Sequence, residues 1–222
     1  MANNAQYSLE WYRQRLGKIT GSQVGLLMQN GRSGVFSETA KTYIYKLTAE
    51  RSMNPKIVNN DALFEAYIDE TNVSTKAMRW GIEQEPTARD IYAKKTKKHI
   101  IEVGLKIHKT IPNFASSPDG YVYDENTKQK GSIEIKCFEQ GKFIRLCDTV
   151  KDNETLLKSE PIIFYQCMAH LMCNETDFCD LVLYNPFQKN PIKIIRVEKD
   201  ENAFAEMEQR IVLANEMIES IL

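Results

Sequence analysis

Three residues combine types and spacing that chemistry can use: Asp119 in "SSPDG", and Glu134 and Lys136 in "SIEIKC". In an extended strand, residues i and i+2 share a face. Glu134 and Lys136 therefore project together, while Ile133, Ile135 and Cys137 point the opposite way, into a core. The turn-forming run "DENTKQKG" between "YVY" and "SIEIKC" makes a hairpin, which brings Asp119 back beside them. Gly120, directly after Asp119, reads as a tight glycine turn. Two carboxylates converging with an ammonium at a sheet edge repel each other unless a cation joins them. Oxygen ligands of this kind suit Mg²⁺ or Mn²⁺, and Mg²⁺ usually takes one or two carboxylates and completes its shell with water and substrate phosphate. The lysine can then orient an attacking water and stabilise charge on phosphoryl oxygens, which is the chemistry of phosphodiester hydrolysis. Removing Asp119 or Glu134 is expected to relieve repulsion and leave the chain folded. Short D…E-x-K patterns also arise by chance, and a surface salt bridge is the competing reading.

The elements that must position these residues follow from hydrophobic period. Residues 8–16 and 21–29 read as short helices, the second capped by Thr20. A further helix starts at Ser37, and another runs from Asp61 toward Trp80. "HIIEVGLKIHKTI" alternates as a strand, "EPIIFYQCMAHLMC" is helical, and "FCDLVLYNP" and "PIKIIRVEK" are strands. From Asn202 onward, Phe204, Met207, Ile211, Ala214, Ile218 and Ile221 recur at spacings of three and four, an amphipathic closing helix. No repeat or linker divides the sequence, so it reads as one α/β domain over 1–222.

At 222 residues, with 42 % hydrophobic and 27 % charged, the chain can bury a full core and is not of disordered composition. A net charge of −1 provides no global positive field, so any nucleic-acid binding must come from a local groove or an enclosing assembly. No apolar signal core and no membrane-length apolar run is present, which points to a cytoplasmic protein. Five cysteines without a C-x-x-C pair suit a reducing compartment. The evenly spaced Cys167, Cys173 and Cys179 read as small apolar core residues, with iron–sulfur ligation as the alternative.

Four stretches, in order along the chain, carry a resemblance: "WYRQRLGKITGS" with "RSG", "MRWGIEQEPTAR", "SSPDG" with "EIKC", and "FYQCMAHLM" followed by "YNP". Together they resemble the lambda-exonuclease family of phage recombination nucleases, a branch of the PD-(D/E)xK superfamily. The resemblance implies an α/β, restriction-endonuclease-like core with a central mixed β-sheet flanked by helices. It implies that Asp119 is shared by two Mg²⁺ ions, replaceable by Mn²⁺, that Glu134 and the backbone carbonyl of Ile135 complete one site, and that Lys136 positions the nucleophilic water. Glu85 matches the upstream acidic residue, and Gln166 a glutamine that orients the site. Arg89, four residues after Glu85, can orient that carboxylate if the helix is continuous, but Pro86 either starts a helical segment there or kinks it. From sequence alone, Gln166 is equally a helix-surface amide.

The resemblance further implies that Arg15, Ser22 and Ser117 grip a 5′-terminal phosphate, a job for which a guanidinium and two hydroxyls are chemically suited. Arg15 otherwise reads as a helix-surface charge and Ser22 as a helix-start residue. Arg32 and Met78 match a DNA-reaching loop arginine and an apolar wedge, against a solvated arginine and a buried methionine. The run "KKTKKH" could track phosphates or simply be solvated. The implied protein is a processive 5′→3′ exonuclease on double-stranded DNA ends, a ring-shaped homotrimer partnered by a phage single-strand annealing protein. A site-specific endonuclease of the same superfamily, and a DNA-end-binding protein with a decayed site, are the alternatives.

Overall fold

The computed structural model describes residues 7–32, 34–72 and 74–222. The chain begins with α1 (Leu9–Arg15), capped by Ser8, whose Oγ accepts the Trp11 amide at 3.2 Å. A two-residue strand, β1 (Ile19–Thr20), runs directly into α2 (Gly21–Leu27). Thr20 occupies the N-cap position of α2, but its side chain makes no capping bond. Thr20 is also a strand residue, paired with Ala115, and its hydroxyl lies 3.4 Å from Ser22 Oγ instead. The helix expected after Ser37 is α3 (Glu38–Arg51), with Ser37 Oγ accepting the Ala40 amide. A single turn, α4 (Pro55–Val58), follows.

The one helix expected from Asp61 toward Trp80 is two, α5 (Asp61–Thr71) and α6 (Lys76–Thr96). Asn72 ends the first in extended backbone, and Thr75 caps the second by accepting the Met78 amide. α6 continues through Pro86. A proline leaves the carbonyl four residues back without its helical donor. Both Pro86 and Ile82 are exposed, so water can satisfy that carbonyl.

The 99–111 segment is not one strand. It holds two-residue pieces, β2 (Ile100–Ile101) and β3 (Lys106–Ile107), which join different sheets. β4 (Phe114–Ser116) lies between β1 and β3 in a small sheet, parallel to the former and antiparallel to the latter. The expected hairpin is present as β5 (Gly120–Asp124) and β6 (Gln129–Cys137). Parallel pairing needs a long crossover. It is supplied by α7 (Gln140–Thr149), α8 (Asn153–Ser159) and α9 (Pro161–Asn174), which return the chain to β7 (Phe178–Tyr184), parallel to β6. β8 (Ile192–Glu198) and α10 (Glu201–Ile221) complete the chain. The main sheet runs β2-β5-β6-β7-β8 and is mixed, as expected.

Helices cover both faces of that sheet. On one, Ala88 and Tyr92 of α6 pack on Val122, Ile133, Ile135, Phe178 and Val182. On the other, α9 and α10 meet Cys179, Leu181, Leu183, Ile195 and Val197. Met207, Ile211, Ala214 and Ile218 of α10 are all buried, whereas Ile221 is 46 % exposed because the helix outruns the core. Cys167, Cys173 and Cys179 are free and buried as apolar residues. Among the described residues, no helix is long and apolar enough to cross a membrane.

Candidate active site

Alternation along β6 places Glu134 and Lys136 beneath α9, while Ile133 and Ile135 face α6. Glu134 is consequently 3 % exposed rather than at an open edge. Its Oε1 accepts from Lys136 Nζ at 2.8 Å and from Gln166 Nε2 at 2.8 Å, and its Oε2 lies 2.6 Å from His170 Nε2. Gln166 and His170 are one helical turn apart on α9 and so share a face. The amide oxygen of Gln166 accepts from Lys136 Nζ at 2.9 Å, closing a triangle of side chains. Burial pushes the Glu134 carboxyl up, but the Lys136 ammonium and the His170 hydrogen bond outweigh it and hold the group at about 2. Lys136 moves the opposite way: burial opposes its charge, and Glu134 raises it overall.

Asp119 sits just past the end of the hairpin ladder, whose last register pair is Gly120 with Ile133. Its amide donates to the Ile133 carbonyl at 3.0 Å, and its Oδ2 accepts the Ile135 amide at 2.6 Å. Gly120 begins a strand rather than making the tight turn expected. A Cβ there would fall 2.5 Å from the Ile100 side chain, so close approach of β2 is what glycine permits. Burial, and then the charges of Glu134 and Glu85, push the Asp119 carboxyl well above its ordinary value.

Glu85 comes from α6, and because that helix is unbroken Arg89 reaches it at 2.6 Å. Arg89 also pairs with Glu102. Burial raises the Glu85 carboxyl and Arg89 opposes this, while the charges of Glu134 and Glu102 add to the rise. Glu85, Asp119 and Glu134 are thus brought within one another's electrostatic reach from segments far apart in sequence.

The donor set suits a hard divalent cation. Backbone N–H and C=O of one strand residue point to the same side. With its N–H on the Asp119 carboxylate, Ile135 directs its carbonyl to the same open side, beyond the ladder. Carboxylate oxygens plus that carbonyl are the ligand type Mg²⁺ prefers. Among the described residues, no three Asp, Glu, His or Cys side chains converge tightly enough to ligate one ion, so the carbonyl and water would have to complete any shell. The sequence expectation that deleting Glu134 relieves repulsion takes no account of the donors that surround it. Its carboxylate is the acceptor for Lys136, Gln166 and His170, and removing it leaves a half-buried ammonium and two buried donors without their acceptor.

A second cluster lies at the α1–α2 junction. The Arg15 guanidinium stacks over the Trp11 ring, 4.2 Å from its centroid, and donates to Ser22 Oγ at 3.2 Å. Burial lowers its pKa, and among the described residues no carboxylate forms an ion pair with it. Trp11 Nε1 and Ser117 Oγ are both buried without a hydrogen-bond partner. Such orphans cost about 1–3 kcal/mol each unless a ligand satisfies them. Ser117 follows Ser116, whose Oγ would be 2.5 Å from a Cβ at Gly21, so the end of β4, directly before Ser117, abuts the start of α2. A cation and unpartnered donors in one region suit an anion. Tyr7 packs on Trp11 at 5.3 Å, and partial burial with the nearby charges of Glu85 and Asp119 pushes its phenol up to about 12. This region therefore adjoins the carboxylates.

Met78, near the start of α6, is 50 % exposed rather than buried. Arg32 is exposed in the loop after α2, and Ser33 of "RSG" lies outside the described residues. Lys98, in the basic run, is pinned to Asp124 at 3.0 Å and Asp180 at 3.7 Å and so is not free to track phosphates. The sequence reading missed His170, Ser116, Trp11 and Tyr7. His170 stands at i+4 from Gln166, so helical spacing alone could have flagged it.

A mixed sheet that presents Asp119, Glu134 and Lys136 between α6 and α9 defines a PD-(D/E)xK-type nuclease core. The sequence profile of the YqaJ-like viral recombinase domain matches residues 10–177, and the chain belongs to this lambda-exonuclease-like family. The crystal structure of LHK-Exo, an alkaline exonuclease from Laribacter hongkongensis, is similar over 96 % of this chain and 93 % of that one, with a TM-score of 0.75 and 28 % identity. LHK-Exo in complex with dAMP matches to the same extent. A phage related exonuclease from Haemophilus somnus 129PT, 13 % identical, shares the fold with a TM-score of 0.64, covering 92 % of this chain and 94 % of its own. No significant match is found among curated protein sequences.

Proposed function

We propose that this nuclease is a Mg²⁺-dependent, processive 5′→3′ exonuclease that acts on double-stranded DNA ends, releases 5′-mononucleotides and leaves a 3′ single strand for annealing. The observation that carries the reading is the Asp119–Ile135–Glu134–Lys136 geometry, with the Arg15 cluster beside it. The dAMP complex of LHK-Exo supports the product class, a deoxynucleoside monophosphate.

Asp119, Glu134 and the Ile135 carbonyl would hold the metal, with Glu85 toward a second ion. Bound Mg²⁺ would supply activation of water and neutralisation of the leaving oxygen. Lys136, tethered by Glu134 and Gln166, is the ammonium aimed at the attacking water and the phosphoryl oxygens. Arg15, Ser22 and Ser117 receive the 5′-terminal phosphate, which satisfies the orphaned Ser117 hydroxyl. Arg32 and Met78, exposed at the margin, contact the duplex.

With 5′-phosphorylated linear duplex, Mg²⁺ should give progressive release of mononucleotides, and EDTA should abolish it. Supercoiled circles should survive. Cutting of closed circles would replace the exonuclease reading with an endonuclease, and inertness on both substrates would leave an end-binding protein.

A ring-shaped homotrimer would encircle the duplex and hold it topologically, which fits a chain of net charge −1 better than attraction to phosphates. Sedimentation at micromolar concentration should give three times the 25.6 kDa chain mass. A monomer that still digests long duplexes without dissociating would remove the ring. A phage-type single-strand annealing protein is the partner expected to take up the exposed strand.

A further inference from the structure

The nuclease reading uses Glu134 but gives no task to the two polar residues behind it. Ser116 and His170 are 0 % and 1 % exposed, deeper than any solvent-facing role requires. His170 Nε2 lies 2.6 Å from Glu134 Oε2, and its Nδ1 lies 2.6 Å from Ser116 Oγ. An ionised carboxylate only accepts, so Nε2 carries the hydrogen whatever the charge of the ring, and in the neutral ring Nδ1 accepts the Ser116 hydroxyl. Ser116 is itself fixed by β4, its hydroxyl lodged where Gly21 has no side chain.

A carboxylate offers about four acceptor positions, two on each oxygen. Lys136 and Gln166 take both positions on Oε1, and His170 takes one on Oε2. One lone pair remains, on Oε2. We infer that His170, braced by Ser116, is a positioning residue that fixes the rotation of the Glu134 carboxylate and so aims this last lone pair at the divalent cation. The inference rests on the metal-dependent nuclease reading. The terminal torsion of glutamate is soft. With His170 absent, Oε2 loses its anchor and the ligand must be ordered at the moment of binding.

The test is calorimetric titration of Mn²⁺ into the DNA-free protein. His170→Ala should weaken Mn²⁺ binding by roughly 10- to 100-fold, the usual consequence of losing an outer hydrogen bond to a ligand, and should raise the Mg²⁺ needed for half-maximal cleavage by a similar factor. His170→Gln, which keeps an N–H donor, should recover part of the loss. Nitrogen-15 spectra should show, among the signals of the three histidines, one that disappears in His170→Gln and is thereby assigned to His170, and this signal should be protonated at Nε2. Wild-type Mn²⁺ affinity in folded His170→Ala, or a His170 signal protonated only at Nδ1, would overturn the inference. Should His170→Ala fail to fold, Ser116→Ala decides, because it keeps the ring and removes its brace. Weaker Mn²⁺ binding supports the role and unchanged binding overturns it. A wild-type protein that binds no Mn²⁺ would instead sink the metal-dependent reading.

Discussion

Asp119→Asn is expected to abolish cleavage and, in EDTA, to make the protein more stable than the wild type. The activity loss follows from removing the carboxylate proposed to serve both metal ions. Metal stabilisation of transition-state charge contributes several kcal/mol, so its loss should slow turnover by roughly 10³-fold or more. Turnover within about tenfold of wild type would take Asp119 out of the metal site. The stability gain follows from the direction of its titration. Burial and the charges of Glu134 and Glu85 raise the folded-state value above the ordinary 3.8, so over that interval the folded chain holds a proton that the unfolded chain has released. Stability of the metal-free protein therefore falls as pH rises through this range and stays reduced above it. Asparagine never ionises, and its amide oxygen can still accept the Ile135 amide. Urea unfolding in EDTA should show the variant's advantage growing from about pH 4 upward, and an advantage that does not change with pH would contradict the electrostatic cause.

Glu134 has the opposite sign. Lys136 and His170 overcome burial and hold its carboxyl at about 2, below the ordinary 4.5, so its contribution is present above 4.5 and is lost as pH falls toward 2. Truncating Glu134 should accordingly destabilise the fold, by about 1–3 kcal/mol for each of the buried donors, Gln166 and His170, left without its acceptor. Two carboxylates of one cluster thus have contrary effects, because one is surrounded by acids and the other by donors.

A 5′-phosphorylated end should be attacked about 10- to 150-fold faster than a 5′-hydroxyl end, and Arg15→Ala should erase most of that preference. The range corresponds to a charge-assisted hydrogen bond of roughly 1.5–3 kcal/mol. Arg15 is set up for an anion: its guanidinium is clamped between the Trp11 ring and Ser22, and among the described residues no carboxylate neutralises it. The preorganised fork loses little freedom on binding. Each 5′→3′ cleavage exposes a new 5′-phosphate, so the same pocket could draw the strand forward once per cycle. Arg15→Ala should then pause more often even on duplexes that began phosphorylated, as read by single-molecule digestion. Equal rates on both end types, with unaltered processivity in Arg15→Ala, would reduce this arginine to a structural cation.

The sequence by itself determined those elements whose signal is local. The β5–β6 hairpin was legible because period-two alternation flanks a polar turn, α10 because its apolar residues recur at spacings of three and four, and α9, β7 and β8 because each is an apolar run of helix or strand length. The same alternation placed Glu134 with Lys136 on one side of β6, and the order of motifs carried the family. Tertiary structure decided what depends on partners distant in the chain. The 99–111 run alternates like one strand, yet its halves pair with different sheets, because pairing is chosen by the neighbours available and not by period. Pro86 stays inside α6 because its face of the helix is solvated, a property no local rule supplies. Most consequential is the burial of Glu134. A Glu-x-Lys pair on a strand reads the same whether solvent or a helix covers it, and here α9 covers it, bringing Gln166 and His170 from 32 and 36 residues away. The residue types needed for chemistry were visible in one dimension. Their ionisation and the direction in which each carboxylate points arise from contacts that exist only once β6 is sealed between two helices.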